Sequence, residues 1–198
     1  MITSILFCAL LAAPAPFWES KAPHDWTDLE IAGLLNDSPW ARAALAQGIV
    51  GQPGIQTYLS SALPMQEAEA EFRRRRQIRN RPPGPAETGD YLEFLKQHPG
   101  ESIVLTVFFP DSTLLAGAKE AKRMEEESFM KIGRKKYKMT GHFPPAPDDP
   151  YLRLVFPRQL GPKDRSVEFD LYLPGTPDPY RIAEYLTKEL MYKGKLEI

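Results

Sequence analysis

Cysteine is almost missing: the 198-residue chain has one, Cys8, and it falls within the first sixteen residues. A chain cut behind that segment has no disulfide, no thiol nucleophile and no thiolate metal site, so packing alone must hold it. Histidine is nearly as scarce. His24, His98 and His142 stand far apart, and none lies at metal-ligand spacing from another histidine or a suitable carboxylate, which argues against a metal centre and sets the cofactor expectation at none. No G-x-S-x-G surrounds Ser38, Ser60, Ser61 or Ser128, and although Gly48, Gly51 and Gly54 are spaced by three, no lysine follows as a phosphate loop requires. A triad assembled across the fold stays open, but nothing nominates one. The formal net charge is −1 with 26% charged residues, so no global field recruits nucleic acid or an anionic membrane.

Long apolar runs are also absent. The longest candidate, Ile5 to Ala13, is shorter than the roughly 20 residues that a membrane-spanning helix needs. It sits in an uncharged leader, MITSILFCALLAAPAP, that ends in small residues including Ala13-Pro14-Ala15. That pattern reads as a signal peptide over residues 1–15, with the cut site left open by Pro14 and Pro16, and with a retained N-terminal anchor as the competing reading. Bulky Phe7 just before Cys8 argues against lipid attachment there. A cysteine-free exported chain suits a bacterial periplasm at least as well as the extracellular space, and no transmembrane span is expected after processing.

What the chain does contain is 42% apolar residues and 20 prolines. The first is enough for one sizeable core. The second is about twice the usual share and argues against a helix bundle. All three tryptophans, Trp18, Trp26 and Trp40, fall between Phe17 and Ala46. Thr27-Asp28-Leu29-Glu30 fits a capping box opening a helix of about two turns, with Trp26 at the staple position. Ser38-Pro39 then suggests the N-cap and first residue of a second helix carrying Trp40 and Ala44. Residues 16–48 are accordingly expected to be a helical arm that folds as one unit with an α+β domain over 49–198.

Farther along, Ile55 to Ser61 alternates as a half-buried strand does, and Pro64 opens a helix to about Ile78 with Met65, Ala68 and Phe72 inward. Arg81 to Gly89 reads as a loop and Asp90 to Leu95 as a short helix or a lead-in to the next element. Ile103 to Phe109, IVLTVFF, reads as a strand buried on both faces. Leu114 to Glu127 has helical propensity, and Phe129 to Tyr137 turns to strand-like alternation around Gly133. Tyr151–Phe156, Val167–Leu173 and Leu190–Ile198 read as strands, Arg181–Lys188 has an apolar spacing that suits a helix turn or a strand and is read as a strand, and Asp148-Asp149 reads as turn chemistry in a proline-rich loop. The expected fold is α+β: an N-terminal helical pair on a mainly antiparallel sheet of about five to seven strands, with one or two inserted helices.

Two features are candidate binding sites. Arg73, Arg74, Arg75, Arg76, Arg79 and Arg81 place six positive charges between residues 73 and 81 with no acid among them. They suit an anionic surface or, equally, a solvated helix face neutralised by Glu69 and Glu71 four residues before Arg73 and Arg75. No aromatic platform is interleaved for nucleic acid, and no nucleic-acid partner is expected. The tryptophans suit either packing or an aromatic surface for carbohydrate or peptide. Local helix mechanics account for Trp26 and Trp40, which leaves Trp18 as the aromatic candidate.

Phe17-Trp18-Glu19 with Lys21, Trp26-Thr27 with Glu30, Asp37 to Ala41, and Met191-Tyr192 with Gly194-Lys195-Leu196-Glu197 resemble the motifs F-W-E-x-K, W-[ST]-x-x-[ED], D-S-P-W-A and M-[VY]-x-G-K-L-E. Together these resemble a group of uncharacterised exported proteins of acidobacterial type. The resemblance covers about a fifth of the chain at its two ends. It implies export and domain limits, and brings no activity and no functional residue. The resulting expectation is a periplasmic or secreted, non-enzymatic interaction protein whose partner is an unknown protein or envelope component. A hydrolase with a site assembled only in three dimensions, and anionic-surface binding through Arg73–Arg81, are the alternatives.

Overall fold

A computed structural model describes residues 15–49, 51–78, 89–109, 117–145 and 149–198. The proposed signal segment up to residue 14 with Cys8, the loop over 81–88, and Arg79 and Arg81 lie outside the described residues, as does residue 148.

The chain opens with a short helix α1 (Phe17–Ser20) and a 3-10 turn, Pro23–Asp25, before α2 (Asp28–Asn36). The capping box is present: the Glu30 amide donates to Thr27 Oγ1 at 3.1 Å and the Thr27 amide to Glu30 Oε2 at 2.7 Å. Strands β1 (Ala41–Ala46) and β2 (Ile55–Leu59) follow, then α3 (Leu63–Ile78) and α4 (Gly89–Gln97). Next come β3 (Ser102–Phe108), α5 (Ala118–Glu127), β4 (Phe129–Ile132), β5 (Lys135–Lys138) and β6 (Gly141–Phe143). The chain continues through β7 (Tyr151–Pro157), β8 (Ser166–Tyr172), β9 (Tyr180–Leu186), β10 (Met191–Tyr192) and β11 (Lys195–Leu196).

Nine strands form one sheet in the order β5-β4-β8-β9-β1-β2-β3-β7-β6, and every pairing is antiparallel. The fold is therefore α+β, with a sheet larger than the expected five to seven strands and, among the described residues, three helices after β2 where one or two were expected. The strand-like stretch expected over Phe129–Tyr137 is the hairpin β4–β5, which counts as two strands, and β1 and the short β6 are strands that were not expected.

β1 corrects the expected second helix. Ala-rich ARAALA has high helix propensity, but propensity is a weak prior that tertiary pairing overrides. Ala41–Ala44 pair with β2 and Leu45–Ala46 with β9. Because the strand changes partner midway, its buried positions Ala41, Ala44 and Ala46 do not alternate strictly. The three-residue step from Ala41 to Ala44 imitates a helix face. Ser38-Pro39 is not an N-cap but the first half of a turn, closed by the Ala41 amide on the Ser38 carbonyl at 3.0 Å, with serine and proline where such turns favour them. The supposed arm thus supplies the fifth of nine strands, at the centre of the sheet.

The sheet folds over at this centre. Phe156 of β7 and Phe169 of β8, with four strands between them in the order, meet with ring centroids 5.3 Å apart. One buried apolar cluster runs from Trp26 through both limbs to Ile198. Trp40 is 0% exposed and its indole N–H donates to the Glu197 carbonyl at 2.8 Å, which satisfies the polar atom that makes a buried tryptophan costly. The expected single terminal strand is instead the hairpin β10–β11, turned over Lys193 (φ 48°) and Gly194 (φ 75°), the paired left-handed conformation of a two-residue hairpin.

Candidate functional site

α2 and α3 pack side by side, and with Tyr58 of β2, Phe108 of β3 and Tyr151 of β7 they line a cleft of about 430 Å³, within the roughly 300–1,000 Å³ of small-molecule sites. Ile31, Ala32 and Leu35 of α2 form an aliphatic wall, and Phe72, Tyr58, Phe108 and Tyr151 an aromatic one. Tyr151 stands edge-on to Tyr58 at 6.0 Å and to Phe108 at 5.8 Å. Arg75 fastens one end. Its guanidinium donates to Asp28 Oδ1 at 2.9 Å and to the Trp26 carbonyl, so α3 is tied to the start of α2.

Beneath the cleft lies a buried polar cluster. Glu69 projects from the inner face of α3, 6% exposed, and its Oε1 accepts from the Tyr58 hydroxyl at 2.7 Å. Arg73 Nη1 stands 3.6 Å from its Oε2. Burial pushes the Glu69 carboxyl above the ordinary range, and the positive charge of Arg153 and the Tyr58 bond only partly oppose this. Arg153 of β7 is 0% exposed, donates from Nη1 to Asp149 Oδ2 at 2.8 Å, and stacks over the Tyr91 ring at 4.5 Å. Burial also raises the hydroxyls of Tyr58 and Tyr91 far above their usual value. A buried charge cluster that shifts several titrating groups under a cleft is where functional sites concentrate.

Asp149 therefore departs from its reading as turn chemistry: it is the buried counter-ion of Arg153. The signals were faint but present. Arg153 interrupts the apolar run from Tyr151 to Phe156, and Glu69 falls four residues after Met65 and three before Phe72, on the face that packs inward.

The four described arginines of the basic run do not form one patch. Arg73 faces Glu69, Arg74 binds Glu71 through Nε at 2.5 Å and Nη2 at 2.9 Å, and Arg75 reaches Glu71 and Asp28. Arg76 lies over the Phe72 ring at 5.4 Å and lines the cleft. Trp18 is half-buried and packs edge-on against Trp40 at 6.0 Å and Phe17 at 4.9 Å, away from the residues that line the cleft.

His24, His98 and His142 neighbour Asp25, Glu101 and Glu125 respectively, in separate parts of the fold. Among the described residues no group of three metal-binding side chains is gathered. Ser60, Ser61 and Ser128 are committed to backbone or hydroxyl partners in the sheet. Gly48 and Gly51 adopt positive φ in the connection between β1 and β2.

Fold and site together define an α+β protein with a large curled antiparallel sheet and a ligand-sized, mainly apolar cleft between two of its helices. No family model matches the chain, and no curated protein or solved structure proves similar to it. No helix among the described residues is long and apolar enough to cross a membrane.

Proposed function

We propose that this is an exported, non-enzymatic binding protein of the periplasm or extracellular space, associated with the cell envelope, and that the α2–α3 cleft is its ligand site. The observation that carries the reading is the composition of the cleft. Its walls are aliphatic and aromatic, while Asp28 is engaged by Arg75 and Glu69 by Tyr58 and Arg73. A catalytic carboxyl needs a partner base, nucleophile or held water within hydrogen-bond reach. The hydrogen bond that Glu69 makes is to a tyrosine.

The sheet edges favour a cleft ligand over strand addition. β5 exposes three lysines in KKYK, and β6 is three residues long, both devices that discourage edge pairing. Pairing within α3 and with α2 weakens the reading of its arginines as an anionic-surface patch. The hydrolase reading retains one supporting observation, the raised, cleft-facing carboxyl of Glu69.

The test is recovery of the mature protein from envelope extracts, with native mass spectrometry of the complex and mass reading of the N-terminus. The expected result is an N-terminus near residues 14–17 and a bound small molecule that the Ala32→Trp variant lacks, since Ala32 is an exposed lining residue whose enlargement fills the cleft without entering the core. An uncut chain in the cytoplasmic fraction would contradict export. Turnover of a bound compound, abolished in Glu69→Gln, would replace binding with catalysis.

A further inference from the structure

We propose that the cleft takes an anionic amphiphile, a molecule with an apolar chain or ring system and a single acidic head group, seated with the head at Arg76. This rests on the reading of the cleft as a ligand site and adds the chemistry of the occupant. Three observations converge on it.

The first is the make-up of the walls. Ile31 and Leu35 line the cleft together with Phe72, Phe108 and Tyr151, so aliphatic carbon and aromatic rings border it. Burial of an apolar body there removes apolar surface from water and is favourable. Phe108, at the end of β3, remains 42% exposed and leaves a face for the ligand to cover.

The second is the state of the carboxyls. Asp28 is held by Arg75 at 2.9 Å. Glu69 accepts from Tyr58 and faces Arg73, with Arg153 beneath as its principal positive charge. A cationic head group would meet carboxyls that already have arginines beside them. It would do so beside two guanidiniums, Arg75 and Arg76, that already line the cleft.

The third is the position of Arg76. Its guanidinium lies over the Phe72 ring, at 5.4 Å from the centroid, and also lines the cleft. A guanidinium carries five N–H donors in a planar fork, so it takes a ligand oxygen in addition to the partners it has inside the protein. Its stacking on Phe72 fixes that fork beside the apolar slot, where a carboxylate, sulfate or phosphate at the end of an apolar body arrives in register.

The experiment is isothermal titration of the full chain with three probes that share one ten-carbon chain, decanoate, decanol and decyltrimethylammonium, each below its micelle-forming concentration. The expected order is decanoate tightest, decanol about tenfold weaker and decyltrimethylammonium weakest. Arg76→Gln should bring decanoate to the level of decanol without changing decanol, Arg76→Lys should keep part of the preference, and Ala32→Trp should abolish binding of all three. Equal binding of decanoate and decanol overturns the head-group assignment while leaving the cleft as a ligand site. Tightest binding of the ammonium probe, or decanoate binding unaffected by both Arg76→Gln and Ala32→Trp, overturns the proposal. If none of the three probes binds, the assigned class is wrong, and the mass of the molecule recovered from envelope extracts decides the broader reading separately.

Discussion

Glu69 and Arg153 are buried ionisable groups of opposite kind, and each is tolerated for a different reason. Arg153 has Asp149 at 2.8 Å and a tyrosine ring under its guanidinium. Removing it leaves two buried carboxyls without their main counter-charge. Breaking one side of a buried pair generally costs about 3–5 kcal/mol, so Arg153→Met is expected to lower the unfolding free energy by about that amount in urea titration. Glu69 behaves differently because burial raises its carboxyl above the ordinary range. The folded state then binds a proton more readily than the unfolded chain. Its contribution to stability is therefore full below the unfolded pKa of an ordinary glutamate and is lost as pH rises through the folded value. The groups that set that value are Tyr58, Arg73, Arg153 and Asp149. Across this window wild-type stability should fall with rising pH more steeply than that of Glu69→Gln. Parallel curves would remove Glu69 as the titrating group.

At the scale of elements, the two ends of the Phe17–Ala46 stretch met different fates. The capping box over Thr27–Glu30 was legible because it depends on residues three apart and on nothing else in the chain. Thr27→Ala is expected to cost about 1 kcal/mol, read as a fall in melting temperature, and to loosen the α2 side of the cleft. β1 was not legible, because Ala41–Ala46 is a strand only through partners at Ile55–Tyr58 and Arg181–Ile182, information that lies far off in the chain. Small side chains are what this centre requires. A Cβ added to Gly54 would stand 2.5 Å from the Cβ of Ala43, so Gly54→Ala should destabilise by about 1–3 kcal/mol through overpacking. A neutral result would show that the connection shifts freely. The apolar run of β3 and the alternation of β8 were readable for the opposite reason, since burial on two faces or one is written directly into their composition.

For the whole molecule, an α+β chain with an antiparallel sheet was readable from periodicity, while the strand count, the central place of β1 and the folding over of the sheet were not. The cleft was legible only in fragments. Phe72 stood on the inward face of α3 and Arg75 and Arg76 stood out as charge, but the aromatic wall is gathered from β2, β3 and β7, and no local spacing encodes that. The last residues close the structure. The Glu197 carbonyl accepts from Trp40, its side chain accepts from the Leu63 amide at the start of α3, and the Ile198 carbonyl accepts from Arg158. Deleting Glu197 and Ile198 should therefore broaden thermal unfolding and weaken the site, although neither residue lines the cleft. The central claim, that ligand enters between α2 and α3, is tested most directly by amide chemical-shift mapping of the labelled protein during titration with decanoate. The expected result is perturbation grouped around Ile31, Leu35, Phe72, Arg76, Phe108 and Tyr151, and lost in Ala32→Trp. Perturbations centred on Trp18 or on the lysine edge of β5, with the cleft silent, would contradict it.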